Sequence, residues 1–215
     1  MPYIIHISFI LCLVLLSGCS KPSEPTINLS RAVNIGDIDQ LERNLYWGAD
    51  VNQVGPNGLT PLHIAAQKGS LIMSKILIKN QANLESLDPQ GHTPVLKALL
   101  ARNTIIAEYM VKSGAKLDPD KALHITTALG SADRDVIDFL VKHGATLNKP
   151  DKQGNTPLHT AILNNQRVAA KYLITRGVNL DITNQEGLTP LALAIKTNNQ
   201  DIIRILKQFG ATTNR

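Results

Sequence analysis

The side chains that could support chemistry include six histidines, two cysteines and close pairs of aspartates such as Asp37 with Asp39 and Asp133 with Asp135. Metal sites need several such ligands close together, and nucleophilic catalysis needs a nucleophile beside a base. No two histidines form an i, i+4 pair. The sequence contains no phosphate-binding glycine loop, GxSxG, HExxH or paired CxxC motif. We therefore predict a non-enzymatic protein with no catalytic residues, no metal and no cofactor.

One cysteine lies in a pattern that has a chemical meaning. Residues 4–16 are an almost uninterrupted apolar run, shorter than the ~20 residues that cross a bilayer and typical of a signal peptide. The run ends in Leu16-Ser17-Gly18-Cys19, which resembles the lipobox of bacterial lipoproteins. The resemblance implies cleavage before Cys19 and attachment of lipid to its thiol and new amino group. We expect a lipoprotein signal peptide at 1–18 and a polar, proline-containing tether at 19–27.

The surroundings of this cysteine bear on where the chain would be anchored. The three residues before the apolar run carry no Lys or Arg, so a short uncleaved anchor or a different start remains an alternative. Ser20 follows Cys19, where lipoproteins kept in the inner membrane of Gram-negative bacteria have aspartate. The analogy implies the outer membrane, facing the periplasm. After cleavage Cys12 is lost and Cys19 is acylated, which leaves no free thiol and suits an oxidising compartment.

A period of 33 residues organises the rest of the chain. Four Thr-Pro pairs begin at Thr60, Thr93, Thr156 and Thr189, at intervals of 33, 63 and 33 residues. A Gly-Ala pair or a close variant recurs six times, at intervals of 33, 33, 30, 33 and 33 residues. Because both markers share the period and one deletion, they predict stacked structural repeats.

These repeats resemble the ankyrin repeat, in which a turn of sequence G-x-TPLHxAA precedes two helices. The clearest matches are NGLTPLHIAAQKGSLIMSKILIKNQAN at 57–83 and GNTPLHTAILNNQRVAAKYLITRGVN at 154–179. The resemblance implies an all-α repeat fold, an ankyrin solenoid of about six helix-turn-helix units with short β-hairpin or loop fingers. We place the ankyrin-repeat domain at 28–215, with units at 28–52, 53–85, 86–118, 119–148, 149–181 and 182–215.

The residue types within a unit predict where its helices begin and end. Pro61 suits the first helical position, since its missing N–H would have no partner there, and Thr60 is a candidate N-cap. Glycines such as Gly114 suit a left-handed residue after a helix. In the ankyrin family the TPLH histidine bonds within and between turns, which implies a structural role for His63 and His159. The two aspartate pairs fall where the family begins its second helix, where acidic side chains are favourable.

The fourth unit departs most from the pattern. Asp118-Pro119-Asp120-Lys121 replaces the Gly-x-Thr-Pro turn, and Leu123-His124-Ile125-Thr126 resembles a displaced PLHx. We infer a shortened finger and two extra residues near Gly130. Two interpretations remain open: a tolerated irregularity, or a shaped notch in the binding surface.

Function must then come from the surface. A stacked solenoid has a concave face, formed by the fingertips and the exposed side of the first helices. The variable positions of the ankyrin family, transferred to this sequence, give these candidate contacts: Asn57, Ile64, Gln67, Lys68, Gln90, Lys97, Arg102, Lys152, Gln153, Thr160, Asn164, Glu186, Leu193 and Lys196. Four basic side chains on the inner helices, with Ile64 and Leu193 as apolar contacts, indicate a partner protein with an acidic, partly apolar patch.

We predict a lipid-anchored protein–protein interaction module of the bacterial envelope. Some periplasmic ankyrin proteins support envelope enzymes or stress defence, and the resemblance implies a role of that kind. The alternative is a secreted effector of a host-associated bacterium that binds a host protein, against which the lipobox argues. The net charge of +5 comes from 22 basic and 17 acidic residues without interleaved aromatics. We therefore expect neither a nucleic acid nor a small-molecule substrate.

Overall fold

The computed structural model describes residues 21–212, so the predicted signal peptide and Cys19 lie outside the described residues. Within this range the chain forms twelve α-helices in six pairs, which confirms the all-α solenoid. The helices are α1 (Leu29–Ile35), α2 (Ile38–Tyr46), α3 (Pro61–Lys68), α4 (Leu71–Lys79), α5 (Pro94–Leu100), α6 (Thr104–Lys112), α7 (Pro119–Ala128), α8 (Arg134–Lys142), α9 (Pro157–Leu163), α10 (Arg167–Thr175), α11 (Pro190–Lys196) and α12 (Gln200–Gln208).

The inner helices begin where the Thr-Pro pairs predict. The Thr60 hydroxyl accepts a hydrogen bond from the backbone N–H of His63, and Pro61 is the first residue of α3. Thr156 and Pro157 begin α9 in the same way. This geometry confirms the predicted caps, since the hydroxyl satisfies a backbone donor that the helix leaves unpaired.

Aspartates cap two of the outer helices. The Asp37 carboxylate accepts from the N–H of Gln40 at 3.0 Å, and that of Asp133 accepts from the N–H of Val136 at 3.0 Å. Each cap is followed by a second aspartate in the first helical turn, close to the positive end of the helix dipole. The aspartate pairs are thus structural, as the resemblance implied.

The helices form two layers around a continuous core. The inner row consists of α1, α3, α5, α7, α9 and α11, each packed against its own outer helix and against the next inner helix. Equivalent leucines at Leu62, Leu123, Leu158 and Leu191 are at most 1% exposed. Ala65 is fully buried where α3 meets its neighbours, and small residues at such contacts let helices approach closely. The buried apolar residues therefore form one continuous core that runs along the stack from Leu29 to Ala211.

The fingers are turns and not the β-hairpins that the repeat pattern allowed. In the third unit one backbone hydrogen bond, from Asp88 N–H to the His92 oxygen at 3.0 Å, closes the finger. The Asp88 carboxylate accepts from the N–H groups of Gln90 and His92 at 2.9 and 2.8 Å. Asp151 and Asn184 organise two other fingers in the same way. With one closing bond each, the fingers form no strand within residues 21–212.

Histidines connect neighbouring units. His63 donates from Nε2 to the His92 oxygen at 3.0 Å, and its Nδ1 accepts from the Thr60 N–H at 3.3 Å. His159 makes the equivalent bond to the Leu188 oxygen at 3.0 Å. Burial lowers the pKa of both imidazoles, which favours the neutral ring with one donor and one acceptor. These contacts confirm the structural role of both side chains.

The segment 21–27, whose composition predicts a free tether, lies against α2. The Nζ of Lys21 is 3.6 Å from the centroid of the Trp47 ring. Trp47 donates from its indole nitrogen to the Ser23 oxygen at 3.3 Å, and Arg43 donates to the Ser23 hydroxyl at 2.7 Å. From Lys21 onward the predicted tether is therefore held against Arg43 and Trp47 by side-chain contacts.

The fourth unit has lost its finger and not merely shortened it. In the third unit the helix cap Thr93 follows Ala82 by 11 positions, whereas Asp118 follows Ala115 by 3. Asp118 is the N-cap of α7 and Pro119 is its first residue. The Asp-Pro pair that we assigned to a remnant finger is thus the start of an inner helix of 10 residues, against 7 or 8 for α3 and α5.

The remainder of the fourth unit matches its prediction. His124 Nε2 lies 3.0 Å from the Lys149 oxygen, so it links its unit to the next one, as His63 does. Ser131 and Ala132 separate Gly130 from the Asp133 cap of α8. In the second unit the equivalent glycine directly precedes the cap. The two extra residues therefore lie where the spacing placed them.

Candidate functional site

The structure exposes ten of the fourteen predicted contact residues, and they come from two parts of the units. One group lies on the fingertips and the other lies in or just after the last turn of the inner helices. The exposed residues are Asn57, Gln90, Lys152, Gln153 and Glu186 on the fingers, and Gln67, Lys68, Arg102, Asn164 and Lys196 on the helices.

Three of the predicted contacts are buried. Ile64, Thr160 and Leu193 are only 7%, 8% and 2% exposed. Each is the fourth residue of its inner helix, a position that packs beside the neighbouring unit. The Thr160 hydroxyl, for example, lies 3.3 Å from Nδ1 of His124 in the preceding unit. We therefore correct the assignment of these three side chains from partner contact to packing within the stack.

Lys97 shares that helix position, and its charge is used inside the protein. Its ammonium group lies 2.7 Å from a carboxylate oxygen of Asp88, whose side chain is fully buried. Burial alone would raise the pKa of Asp88, but the hydrogen bonds from Lys97 and from the His92 N–H outweigh it and hold the pKa below its usual value. Lys97 thus fastens the third finger to α5, and it is not a free contact for a partner.

The expected positive bias of the concave face is therefore smaller than the sequence suggests. Arg102 lies 3.5 Å from the Asp133 carboxylate, and Lys196 pairs with Glu186. Of the four basic side chains predicted on the inner helices, Lys68 alone has no ion pair among residues 21–212.

The row of fingers contains a gap after the third unit. A methyl group in place of the Gly58 hydrogen would lie 2.3 Å from a ring carbon of Pro89 on the next finger. At Gly154 the same group would lie 2.9 Å from the backbone nitrogen of Gln185. At Gly91 it would meet no heavy atom of the described residues within 4 Å. Neighbouring fingers elsewhere touch, and the third finger faces open space because the fourth is missing.

This gap is a cleft of about 320 Å³, which we call the notch. Its lining residues come from the third finger, α5 and the start of α7: Leu87, Gly91, Thr93, Leu96, Lys116, Leu117, Asp118, Lys121, Ala122 and Ile125. Leu87 is 63% exposed, the lysines Lys116 and Lys121 are exposed beside the exposed Asp118, and the carboxylate of Glu85 accepts from the backbone N–H of Lys116 at 2.8 Å. The notch therefore combines an accessible apolar side chain with a rim on which two ammonium groups lie beside carboxylates.

Sequence reasoning missed Leu87, Lys116 and Lys121 as contacts. The prediction placed Lys121 in a turn, whereas the Asp-Pro pair starts a helix that carries it to the rim. A second cleft, of about 760 Å³, lies between the first two units and includes Val54, which is 60% exposed, beside the predicted Asn57. Val54 and Leu87 occupy the same finger position, six residues before the Thr-Pro pair.

The outer face carries an ionic cluster around Glu108. Glu108 on α6 accepts from His143 at 2.8 Å and from Lys142 at 3.0 Å, with Lys112 at 3.3 Å. The bond from His143, then that from Lys142, lowers the pKa of Glu108 to about 2. The cluster links α6 to the C-terminal end of α8. Its charges are paired with one another, so it stabilises the packing of these two helices without a ligand.

The described part of the chain offers no other obvious chemistry. Among residues 21–212, no three His, Cys, Asp or Glu side chains lie close enough to hold a metal ion. No helix in the same range has the length and apolarity that crossing a membrane requires.

The repeats match the ankyrin models along most of the chain. The family described as "Ankyrin repeats (3 copies)" matches residues 29–121, "Ankyrin repeats (many copies)" matches 140–194, and "Ankyrin repeat" matches 186–215. The chain belongs to the ankyrin-repeat family. The interval between the first two matches, 122–139, falls in the irregular fourth unit. Ankyrin repeats are typically non-catalytic scaffolds that bind proteins, so the fold supports an interaction module.

Similar curated proteins share the repeats and are much longer. The Drosophila melanogaster channel "Transient receptor potential cation channel subfamily A member 1" is 27% identical over 166 residues, 70% of this chain and 14% of the channel. "Putative palmitoyltransferase ZDHHC13" of Danio rerio is 32% identical over 152 residues, 66% of this chain and 23% of that protein. The chain thus spans less than a quarter of these relatives.

Solved structures show the same architecture. The human ASB11 ankyrin repeat domain superposes with a TM-score of 0.72 at 26% identity, covering 87% of this chain and 85% of that one. A chain from the complex of the predatory endopeptidase Bd0816 of Bdellovibrio bacteriovorus with the immunity protein Bd3460 gives a TM-score of 0.69 at 25% identity. That match covers 84% of this chain and 96% of the other.

Proposed function

We propose that this protein is a lipid-anchored ankyrin module of the bacterial envelope that binds a partner protein through its concave face, with the notch at the centre of the contact. The observation that carries the proposal is the missing fourth finger, which leaves Leu87 63% exposed beside an open cleft. Because this surface is preformed by a rigid stack, binding to it has a low ordering cost.

The chemistry of the notch indicates the kind of partner segment that would fit. An exposed aliphatic side chain favours an apolar anchor, and desolvated anchors of this kind dominate interface energies. The exposed ammonium groups of Lys116 and Lys121 favour a carboxylate next to that anchor. The expected acidic, partly apolar patch on the partner is therefore kept, but it is assigned to the notch and not to the paired lysines of the inner helices.

An enzyme of the envelope is the partner class that we favour. One of the similar solved structures is a complex of a bacterial endopeptidase with an immunity protein. The match spans 96% of a chain in that complex. That likeness supports a stack of this size binding a bacterial enzyme. A host protein, bound by a secreted effector, is the alternative.

The proposed anchor is the lipid at Cys19, which rests on the Leu16-Ser17-Gly18-Cys19 pattern. The test is fractionation of cells that carry the native chain or Cys19→Ser, with intact-mass analysis of the purified protein. The proposal expects a membrane-bound chain that begins at an acylated Cys19, and loss of both properties in the variant. A native chain found in the medium or in host cells would instead support the effector alternative.

The binding site is tested with exposed positions, so that folding is not affected. Leu87→Asp and Lys121→Glu alter the notch, and Val168→Asp and Lys171→Glu on α10 are matched controls, with Val168 69% exposed. Partners are recovered on a tag from detergent extracts and quantified by mass spectrometry. We expect the notch variants to lose roughly tenfold or more in partner recovery, the effect of a residue worth at least about 1.4 kcal/mol. Equal recovery of the partner with all four variants would show that the notch is not the binding site.

A further inference from the structure

We infer that the first unit of the stack is a membrane-docking surface, in which Lys21, Tyr46 and Trp47 lie in the headgroup layer of the bilayer and orient the solenoid. The inference rests on the proposed lipidation of Cys19. The inference adds an orientation to the anchor. A lipid on a free tether would let the solenoid rotate and would not fix its distance from the membrane.

The covalent path from the proposed lipid to the folded stack is very short. Lys21 is seated on α2, with its Nζ 3.6 Å from the Trp47 ring centroid. The Trp47 indole holds the next residues through a hydrogen bond to the Ser23 oxygen at 3.3 Å. Only Ser20 separates Cys19 from Lys21, and two residue steps span at most about 7 Å. A lipid on Cys19 therefore brings the end of α2 to the bilayer surface.

The side chains at this place are those that membrane interfaces accept. Tyr46 is 59% exposed and Trp47 is 37% exposed, and their rings meet edge-on at 6.3 Å. Both types are enriched at the headgroup level, where the ring is partly apolar and its polar atom stays hydrated. Lys21 holds its ammonium group over the face of the indole, where it can also contact lipid phosphates. The chain's single tryptophan lies here although only 4% of its residues are aromatic.

The charges around the docking surface indicate that lipid charge contributes little. Lys21 and Arg43 are basic, but the exposed Glu24, Asp39 and Glu42 lie on the same segment and helix. A surface of this balance lacks the cluster of lysines and arginines that recognises anionic lipid. Docking should therefore depend on the acyl chains and the two aromatic rings, and it should occur on zwitterionic phosphatidylcholine.

Docking through the first unit sets the direction of the stack. Neighbouring helices pack about 8–10 Å apart, so with the stack axis normal to the bilayer the notch after the third unit lies roughly 25–30 Å from the headgroups. The last unit lies about 40–50 Å away by the same estimate. The concave face then projects into the aqueous space where a partner enzyme would be reached.

The chain itself supplies the probe for a direct test. Trp47 is its one tryptophan, so all tryptophan emission reports on this site. The full-length chain is produced in a Gram-negative host, its acylation is verified by mass, and it is placed in phosphatidylcholine vesicles with or without nitroxide-labelled headgroups. A double variant, Trp47→Phe with Phe209→Trp, moves the probe to the equivalent helix end of the last unit, where Phe209 is 50% exposed.

The inference expects the headgroup nitroxide to quench Trp47 and to leave the emission from position 209 at its level in unlabelled vesicles. An acylated chain whose Trp47 is unquenched, or is quenched no more than position 209, would overturn the docking surface and leave the lipid anchor standing. A purified chain without acyl mass would overturn the anchor, and the docking inference with it.

Discussion

Replacing Lys97 with alanine distinguishes a structural lysine from a binding lysine. The Asp88 carboxylate is fully buried and the Lys97 side chain is 16% exposed. Removing one partner of a buried ion pair costs about 3–5 kcal/mol in general. Here the carboxylate keeps the N–H groups of His92 and Gln90 at 2.8 and 2.9 Å, which compensate part of the loss. We therefore expect Lys97→Ala to lower the free energy of unfolding by about 2–3 kcal/mol.

The measurement is urea unfolding followed by far-ultraviolet circular dichroism, with Lys196→Ala as the matched control. Lys196 pairs with Glu186 on the last unit, but both side chains are 60% exposed, so its loss should cost at most about 1 kcal/mol. Adding Asp88→Asn to Lys97→Ala should recover part of the stability, because no buried charge is then left without its partner.

The reasoning would be refuted if Lys97→Ala were no more destabilising than Lys196→Ala. It would also be refuted if the variant kept native stability and lost only partner binding. In that case the assignment of Lys97 as a contact residue, which the sequence alone favours, would be right.

Three further predictions follow from the caps, the fingers and the outer face. Burial lowers the folded-state pKa of His63 and His159, so the unfolded chain takes up protons first. Stability should fall as the pH drops below about 6.5, by up to about 1.4 kcal/mol per site per pH unit until the folded pKa is reached. Urea midpoints across that range test this, and His159→Gln should weaken the dependence. Gly154→Ala should destabilise more than Gly91→Ala in the same unfolding assay, since both have a φ near 76° but only Gly154 touches the next finger. The carboxyl resonance of Glu108 should titrate at a pKa of about 2 by NMR.

The sequence predicts the helical architecture well because the decisive signals are local. A Thr-Pro pair places an N-cap and a first helical residue in adjacent positions, and this holds for Thr60 and Pro61 without reference to the rest of the chain. The repeat period then places the Thr-Pro pairs that begin α5, α9 and α11. The same local logic, applied to Asp118 and Pro119, would have identified the start of α7.

The missing finger also left a signal in the histidines. His63, His124 and His159 each bond to a backbone oxygen at the start of the following unit. Leu96 replaces this histidine in the third unit, which no finger follows, since an imidazole there would lack its acceptor. The absence of a histidine at position 96 therefore agrees with the missing finger.

The exposure of the candidate contacts could not be predicted from one sequence. Whether Ile64 or Leu193 meets solvent depends on how the neighbouring unit covers it, which family-variable positions do not reveal. The pairing of Lys97 with Asp88 likewise joins a helix to a finger, and its strength depends on burial that only the packed stack provides.

The most direct test of the central claim is a crosslinking map of the stack in living cells. A photoreactive residue is placed singly at Leu87, at Lys121, and at the outer-helix positions Ile72 and Val168, which are 59% and 69% exposed. The account predicts that Leu87 and Lys121 crosslink to one partner protein and that the outer positions do not. Crosslinks to that partner from Ile72 or Val168, with none from the notch, would contradict it.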